Sequence, residues 1–156
     1  MKHILLLLVT ASFFACSSTK AIKDSKKELK GNWTLTAINY SQTGQFNVTL
    51  FNDVSANCFQ GSTWSFVPNN HTGTYNITNS NCAQGLRYFN FQIQEVNSEN
   101  GLYDFLIKTT NAKGKSDNNS GYRLQLAGIS ETTMQWRQTV DLNGSPFTIF
   151  MTFTKQ

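Results

Sequence analysis

Near the C-terminus of this 156-residue chain, residues 147–154 read Phe-Thr-Ile-Phe-Met-Thr-Phe-Thr. Apolar side chains occupy positions 147, 149, 151 and 153, and threonines occupy 148, 152 and 154. Phe150 is the one apolar residue on the threonine side. Because successive side chains of a β-strand point to opposite sides, this alternation predicts a strand with one buried and one solvent-facing side.

Similar short runs follow one another from Gly31 to the C-terminus, separated by Asn, Gly, Ser and Asp. They predict nine candidate strands, at about 32–40, 45–51, 62–68, 72–78, 87–94, 102–109, 121–128, 132–140 and 146–154. Short connections in chain order indicate an antiparallel meander, and meanders of this size close to remove exposed edges. The predicted fold is therefore all-β, an antiparallel up-and-down β-barrel of eight to nine strands over residues 31–156. A β-sandwich is the alternative, and segments 52–61 and 17–30 have room for a short helix.

The first sixteen residues have the plan of an export signal, with a basic start, the apolar run 4–9, and Ala15 before Cys16. The run is too short to span a hydrocarbon core about 30 Å thick. The Ala15-Cys16 junction resembles a bacterial lipobox, in which a peptidase cuts before the cysteine and the sulfur carries a diacylglyceryl group, although Phe13 and Phe14 depart from the usual pattern. We therefore expect a signal peptide over residues 1–15 and lipid attachment at Cys16. The alternative is an ordinary signal peptide with an incidental cysteine.

Residues 16–30 form the predicted tether, which carries five lysines against Asp24 and Glu28. These lysines either attract anionic headgroups, at up to ~1 kcal/mol each, or form a solvated spacer. Residues 31–156 contain seven basic and seven acidic residues, so the barrel has no net charge and nucleic-acid binding is not expected. No acidic cluster follows Cys16, unlike in surface-exported lipoproteins of Bacteroidetes type. We expect the cell envelope of a Gram-negative bacterium, with a lipid anchor on the periplasmic face of the outer membrane.

With Cys16 assigned to the lipid, Cys58 and Cys82 remain as an even pair in an oxidising compartment, which favours a disulfide between them. Closing a loop of this length contributes ~3 kcal/mol in the chain-entropy model. A zinc site needs three or four ligands, and His71 is the one other soft ligand nearby, so a metal site is disfavoured. Two unpaired thiols are the weakest alternative outside the cytosol.

Residues 29–35, Leu-Lys-Gly-Asn-Trp-Thr-Leu, resemble the opening Gly-x-Trp of lipocalins. Residues 50–53 (Leu-Phe-Asn-Asp), 58–66 (Cys-Phe-Gln-Gly-Ser-Thr-Trp-Ser-Phe) and 72–75 (Thr-Gly-Thr-Tyr) are similar to the lipocalin-like lipoproteins common in Bacteroidetes. The resemblance implies a lipocalin-like barrel, a Cys58–Cys82 pair, and a barrel end closed by Gly31 and Trp33. A Thr-Asp-Tyr motif and a C-terminal helix are missing, and the arginine that stacks on this tryptophan has no clear counterpart. An even strand count would place Lys155 beside Trp33.

Little in the sequence supports catalysis. His71 is the single histidine after the predicted signal, it lies in a predicted turn, and a Ser-His-Asp triad needs a held, oriented base. Nucleophile-elbow, phosphate-loop and dinucleotide motifs do not occur. Asp104 lies within a predicted strand and is expected to pair with Lys108 at the surface. We expect no enzyme activity, no cofactor and no metal.

Aromatic residues are abundant, and most of them are needed to fill a small barrel. Aromatic walls with a few polar groups are also typical of small-molecule pockets. The predicted register places seven such residues on the inward face, as the predicted ligand-binding set: Tyr75, Phe91, Tyr103, Phe105, Tyr122, Leu124 and Trp136. Arg123 and Arg137 lie within strands, and each either faces solvent or binds a ligand carboxylate.

These patterns lead to two functional hypotheses. The first is a membrane-anchored lipoprotein that binds a small, hydrophobic ligand in the barrel. The second is a non-catalytic structural or protein-interaction lipoprotein with a filled barrel, whose protein partner is unknown. An internal cavity distinguishes the two.

Overall fold

The computed structural model describes residues 26–97, 102–116 and 118–156. Cys16, the predicted signal peptide and most of the predicted tether lie outside these residues. The side chain of Tyr103 is also outside the description, although its backbone is placed.

Eight antiparallel strands form a closed barrel in the order β1-β10-β9-β8-β7-β6-β5-β4. Each strand pairs with its neighbour in the chain, and β1 closes the ring by pairing with both β10 and β4. The barrel strands are β1 (Gly31–Tyr40), β4 (Thr63–Val67), β5 (Thr72–Ile77), β6 (Gly85–Asn97), β7 (Leu102–Thr110), β8 (Tyr122–Ile129), β9 (Thr133–Leu142) and β10 (Ser145–Lys155). The all-β barrel prediction is confirmed, with a strand count of eight.

The predicted strand at 45–51 is wrong as a barrel strand. Only Thr49–Leu50 (β2) is extended there, and it pairs with Val54–Ser55 (β3) in a separate two-stranded sheet. Of the apolar residues that produced the alternation, Leu50 joins the core from the loop, and Phe46 and Val48 are partly buried against it. A helical turn at Ala56–Phe59 follows, and residues 26–29 are also helical.

One end of the barrel is closed around Trp33, which is completely buried. Its indole nitrogen donates a hydrogen bond to the carbonyl of Leu29 at 2.9 Å. Lys155 is the strand partner of Trp33, and its ammonium lies 5.0 Å from the centre of the indole ring. The even strand count thus places Lys155 beside Trp33, as the sequence predicts. Gly31, at φ +119°, allows the chain to turn from the helix into β1.

The lower half of the barrel, toward Trp33, is filled by aromatic rings that meet across it. Trp64 on β4 lies 5.4 Å from Trp136 on β9, measured between ring centres, and Phe66 lies 6.1 Å from Phe105 on β7. Phe105 also contacts Trp136, at 4.9 Å. Since these strands are not neighbours in the ring, the contacts span the interior, where packed rings add about 0.5–1.5 kcal/mol per pair beyond burial.

The predicted disulfide between Cys58 and Cys82 is formed, with the two Cα atoms 5.8 Å apart. It joins the helical turn before β4 to the connection between β5 and β6. Both of these segments lie at the end of the barrel opposite Trp33, so the bond ties two loops of the open end together.

Among the described residues, no helix has the length and apolarity needed to cross a membrane. The same residues contain no cluster of three or more His, Cys, Asp or Glu side chains suited to a metal ion.

Candidate ligand site at the barrel mouth

The open end of the barrel, which we call the mouth, is covered by the connection between β1 and β4. This connection contributes four buried residues to the core: Leu50, Phe51, Ala56 and Phe59. Its centre is a turn over residues 50–53, closed by a hydrogen bond of 3.0 Å from the Asp53 amide to the Leu50 carbonyl. We call this the mouth turn. The mouth is thus closed by a loop rather than by the barrel strands.

Phe51 occupies a box of four aromatic rings. Its ring centre lies 5.4 Å from Tyr122, 5.6 Å from Phe59, 6.0 Å from Trp64 and 6.3 Å from Tyr75. Phe51 is only 5% exposed, so it fills this box. Three of the surrounding rings belong to barrel strands, whereas Phe51 belongs to the loop.

The backbone of the mouth turn is unusual, because Phe51 has φ +55° and Asn52 has φ +51°. This left-handed region suits Gly, Asn and Asp, and a bulky residue there costs of order 1–3 kcal/mol. Burial of the Phe51 ring offsets this strain. The turn is therefore held by its side-chain contacts against its own backbone preference.

Asp53, at the end of the mouth turn, makes a polar contact with the barrel wall. Its carboxylate lies 2.9 Å from Nε of Arg87 and 3.4 Å from Nη2, and it accepts a hydrogen bond of 3.0 Å from the Tyr75 hydroxyl. The Asp53 and Arg87 side chains are 22% and 21% exposed, so water screens this ion pair only in part. Tyr75 and Arg87 are strand partners on β5 and β6.

Arg87 is held by the protein independently of Asp53. Its Nη1 donates to the Gly85 carbonyl at 2.6 Å, and its Nη2 donates to the Ala83 carbonyl at 2.7 Å. Both carbonyls belong to the stretch just after Cys82, which the disulfide fixes in place. The guanidinium is therefore oriented toward the mouth by the barrel and its disulfide.

Two tyrosine hydroxyls lie at the mouth. Burial raises the pKa of Tyr75, and the nearby Asp53 charge raises it further, so this hydroxyl stays protonated and able to donate at neutral pH. Burial also raises the pKa of Tyr122. Within the described part of the chain, the buried Tyr122 hydroxyl has no hydrogen-bond partner, and neither does the indole nitrogen of Trp136.

The structure divides the predicted ligand-binding set between two levels of the barrel. Phe91, Phe105, Leu124 and Trp136 are buried inside, and the Phe91 and Phe105 rings stack at 5.1 Å within the packed lower half. Tyr75 and Tyr122 lie at the mouth, on either side of Phe51. The six members whose side chains are described therefore do not line one common pocket, and the side chain of Tyr103 lies outside the described part.

The predicted pairing of Asp104 is wrong, whereas Arg123 and Arg137 take the solvent-facing alternative. Asp104 pairs with Arg123, at 3.1 Å, and not with Lys108, which instead contacts Asn119. The Arg123 side chain is 71% exposed. Arg137 follows the buried Trp136 and lies on the opposite, outward side of β9. The arginine that reaches the mouth is Arg87.

Sequence reasoning missed Arg87, Asp53 and Phe51 as site residues. The signal for Arg87 was present, because Phe89, Phe91 and Ile93 alternate on the inward face and one more step back reaches residue 87. Asp53 follows the predicted strand at 45–51, and no alternation of side chains marks it as part of a site. Phe51 was placed in a barrel strand that does not form.

A surface groove of about 520 Å³ lies over β6, β7 and β8. From the predicted set it includes Phe91 and Tyr122, and Lys108 and Arg123 contribute positive charge. The groove shares Tyr122 with the Phe51 box, but Trp64, Tyr75 and Phe59 do not line it, so the two are separate spaces.

No family model matches the sequence, and no curated protein matches it. The fold is similar to the crystal structure of a lipocalin-like protein from Bacteroides uniformis ATCC 8492, with a TM-score of 0.51. The alignment covers 83% of this chain and 99% of that chain, at 10% sequence identity. The predicted resemblance to lipocalin-like proteins is therefore confirmed at the level of the fold. This chain has a closed β-barrel fold similar to that of the lipocalin-like protein, and its mouth is braced by a disulfide and covered by a loop.

Proposed function

We propose that this protein is a lipid-anchored, non-catalytic envelope protein that binds a small, mainly apolar ligand at the barrel mouth. The observation that carries the proposal is the aromatic box of Trp64, Tyr75, Tyr122 and Phe59, which a loop residue, Phe51, fills. A ligand would take the place of the Phe51 ring. The lower half of the barrel then serves as a packed base.

The backbone of the mouth turn supports displacement of Phe51. Leaving the left-handed conformation recovers part of the 1–3 kcal/mol stored there. An apolar ligand in the box would replace the buried area that the Phe51 ring gives up, at about 25 cal/mol per Å². The disulfide keeps Cys58 and the adjacent Phe59 in place, so the movement is confined to the turn itself.

Titration with N-phenyl-1-naphthylamine, an uncharged apolar dye whose fluorescence rises on burial, tests this proposal. We expect saturable binding to the wild-type barrel and tighter binding to Phe51→Ala, because the box is then unoccupied. Phe105→Ala is the matched control, since it removes the same ring from the packed lower half and lines neither the box nor the surface groove. Absence of binding to both the wild type and Phe51→Ala would contradict the proposal, as would equal enhancement in the control.

A second candidate is a filled barrel that acts through its outer surface as a protein-interaction lipoprotein. The rings that meet across the interior favour it, because they leave the lower half fully packed. This candidate predicts that no apolar compound raises the melting temperature of the wild-type protein. It also predicts that Phe51→Ala lowers stability and gives no saturable dye binding.

The anchor and the location are part of the proposal. The lipobox-like Ala15-Cys16 junction and the lysine-rich residues that follow support attachment to the periplasmic face of the outer membrane. Cys16→Ser should move the protein from the membrane fraction to the soluble fraction of its own cells. Unchanged detergent partitioning of the variant would contradict acylation at this residue.

A further inference from the structure

The mouth turn places two chemically different groups against the barrel wall. Phe51 puts an apolar ring into the aromatic box, and Asp53 puts a carboxylate onto Arg87 and Tyr75. The two residues are separated by Asn52 alone. Together they have the shape of a short amphiphile, with an apolar body and one acidic end.

We propose that the mouth binds an amphiphilic carboxylate, such as a medium-chain fatty acid, which replaces the mouth turn group for group. The apolar chain takes the box vacated by Phe51, and the ligand carboxylate takes the place of Asp53 on Arg87 and Tyr75. This inference rests on the proposed function, and it adds the chemical class of the ligand and the residues that select it.

Arg87 is suited to this role because its position does not depend on Asp53. The Gly85 and Ala83 carbonyls orient it, and the adjacent disulfide fixes the segment that carries them. When the turn leaves, a largely buried guanidinium remains with two neutral partners, and a buried charge without a counter-ion is costly. An incoming carboxylate relieves that cost, whereas an alcohol does not.

Tyr75 adds a second donor to the same oxygen. Its hydroxyl is 3.0 Å from Oδ2 of Asp53, the oxygen that Nε of Arg87 also contacts. Tyr75 is 1% exposed, and its hydroxyl reaches the mouth turn at Asp53. Since the pKa of Tyr75 is raised by burial, the hydroxyl is a donor and not a competing anion.

Asp53 acts as a built-in competitor in this arrangement. A ligand must displace it before reaching Arg87, so the observed affinity is reduced by the fraction of molecules in which the turn is closed. Removing the Asp53 charge should therefore strengthen the binding of carboxylates in particular.

Calorimetric titration with decanoate and with decanol at pH 7.5 tests the inference, in the full mature chain with its disulfide intact. We expect Asp53→Asn to bind decanoate about tenfold or more tighter than the wild type does, and to bind decanol tighter by a smaller factor, because both compounds need the open turn and only decanoate is also repelled by the Asp53 charge. Arg87→Met should remove the preference for decanoate over decanol. Lys30→Met, which removes an exposed positive charge at the closed end of the barrel, should leave both affinities unchanged.

Each outcome has a defined meaning. Equal binding of decanoate and decanol that Arg87→Met leaves unchanged would overturn the carboxylate inference and leave the proposed function standing. Failure of both compounds to bind every variant would overturn the proposed function together with it. If Arg87→Met does not fold, Tyr75→Phe replaces it, and decanoate should then bind several-fold more weakly while decanol does not. No loss of decanoate binding in Tyr75→Phe would overturn the inference.

Discussion

Asp53→Ala tests how strongly the mouth turn is fastened to the barrel. The substitution removes an ion pair at 2.9 Å and the acceptor of the Tyr75 hydroxyl at 3.0 Å. The Arg87 guanidinium keeps two carbonyl partners, whereas the hydroxyl of the buried Tyr75 loses its acceptor. A buried donor left unsatisfied costs about 1–3 kcal/mol, and a pair that is about one-fifth exposed adds a screened contribution. We therefore expect the free energy of unfolding to fall by about 2–3 kcal/mol.

Urea unfolding followed by circular dichroism measures this change, with the disulfide intact in both proteins. The midpoint should fall without a change in slope, because the barrel itself is unaltered. Glu131→Ala, which removes an exposed carboxylate in the turn between β8 and β9, is the control and should stay within about 0.5 kcal/mol. If Asp53→Ala also stays within that range, the Asp53 contact does not hold the turn and the reasoning is refuted.

Three further perturbations have definite expected outcomes. Replacing both Cys58 and Cys82 by serine should lower the free energy of unfolding by about 3 kcal/mol, as measured by urea unfolding. An unchanged free energy would show that the loop closed by the disulfide is already ordered in the unfolded chain. Gly73→Ala should destabilise by about 1–3 kcal/mol or more, since its Cβ would lie 2.7 Å from the Ser65 carbonyl oxygen and 2.3 Å from the Phe89 ring; a wild-type melting temperature would contradict this. The pKa of Tyr75 is raised in the folded protein above the ordinary tyrosine value of 10. The contribution of Tyr75 to the free energy of unfolding is therefore fully present below pH 10. It is lost as pH rises above 10, because this tyrosine then ionises in the unfolded chain before it ionises in the folded one. Spectrophotometric titration at 295 nm checks this, and ionisation of all tyrosines at pH 10 in the folded protein would oppose it.

The barrel was predictable from the sequence because the alternation of apolar and polar residues in each strand shows which side chains face the core. Alternation at 147–154 correctly placed Phe147, Ile149, Met151 and Phe153 in the core. The even strand count then placed Lys155 beside Trp33, which the structure confirms. Both results follow from the local chain and the closure of the ring.

The mouth was less predictable because its contacts are not local. Phe46, Val48 and Leu50 alternate like a strand, yet they pack against the barrel from a loop. The ion pair between Asp53 and Arg87 joins residues that are 34 positions apart. The alternation of apolar and polar residues along a strand does not predict such a distant contact. The sequence likewise does not show whether opposing rings such as Trp64 and Trp136 meet across the interior.

Amide hydrogen exchange of the mouth turn tests the central claim most directly, namely that this turn opens while the barrel stays folded. The Asp53 amide is bonded to Leu50, and the Ala56 amide is bonded to Val48 at 2.7 Å, so both report on closure. We expect them to exchange through an opening that costs several kcal/mol less than the opening of the β10 amides, and to lose further protection when decanoate is bound. Exchange of the mouth and β10 amides with the same opening free energy, unaffected by decanoate, would show that the turn is a fixed part of the core.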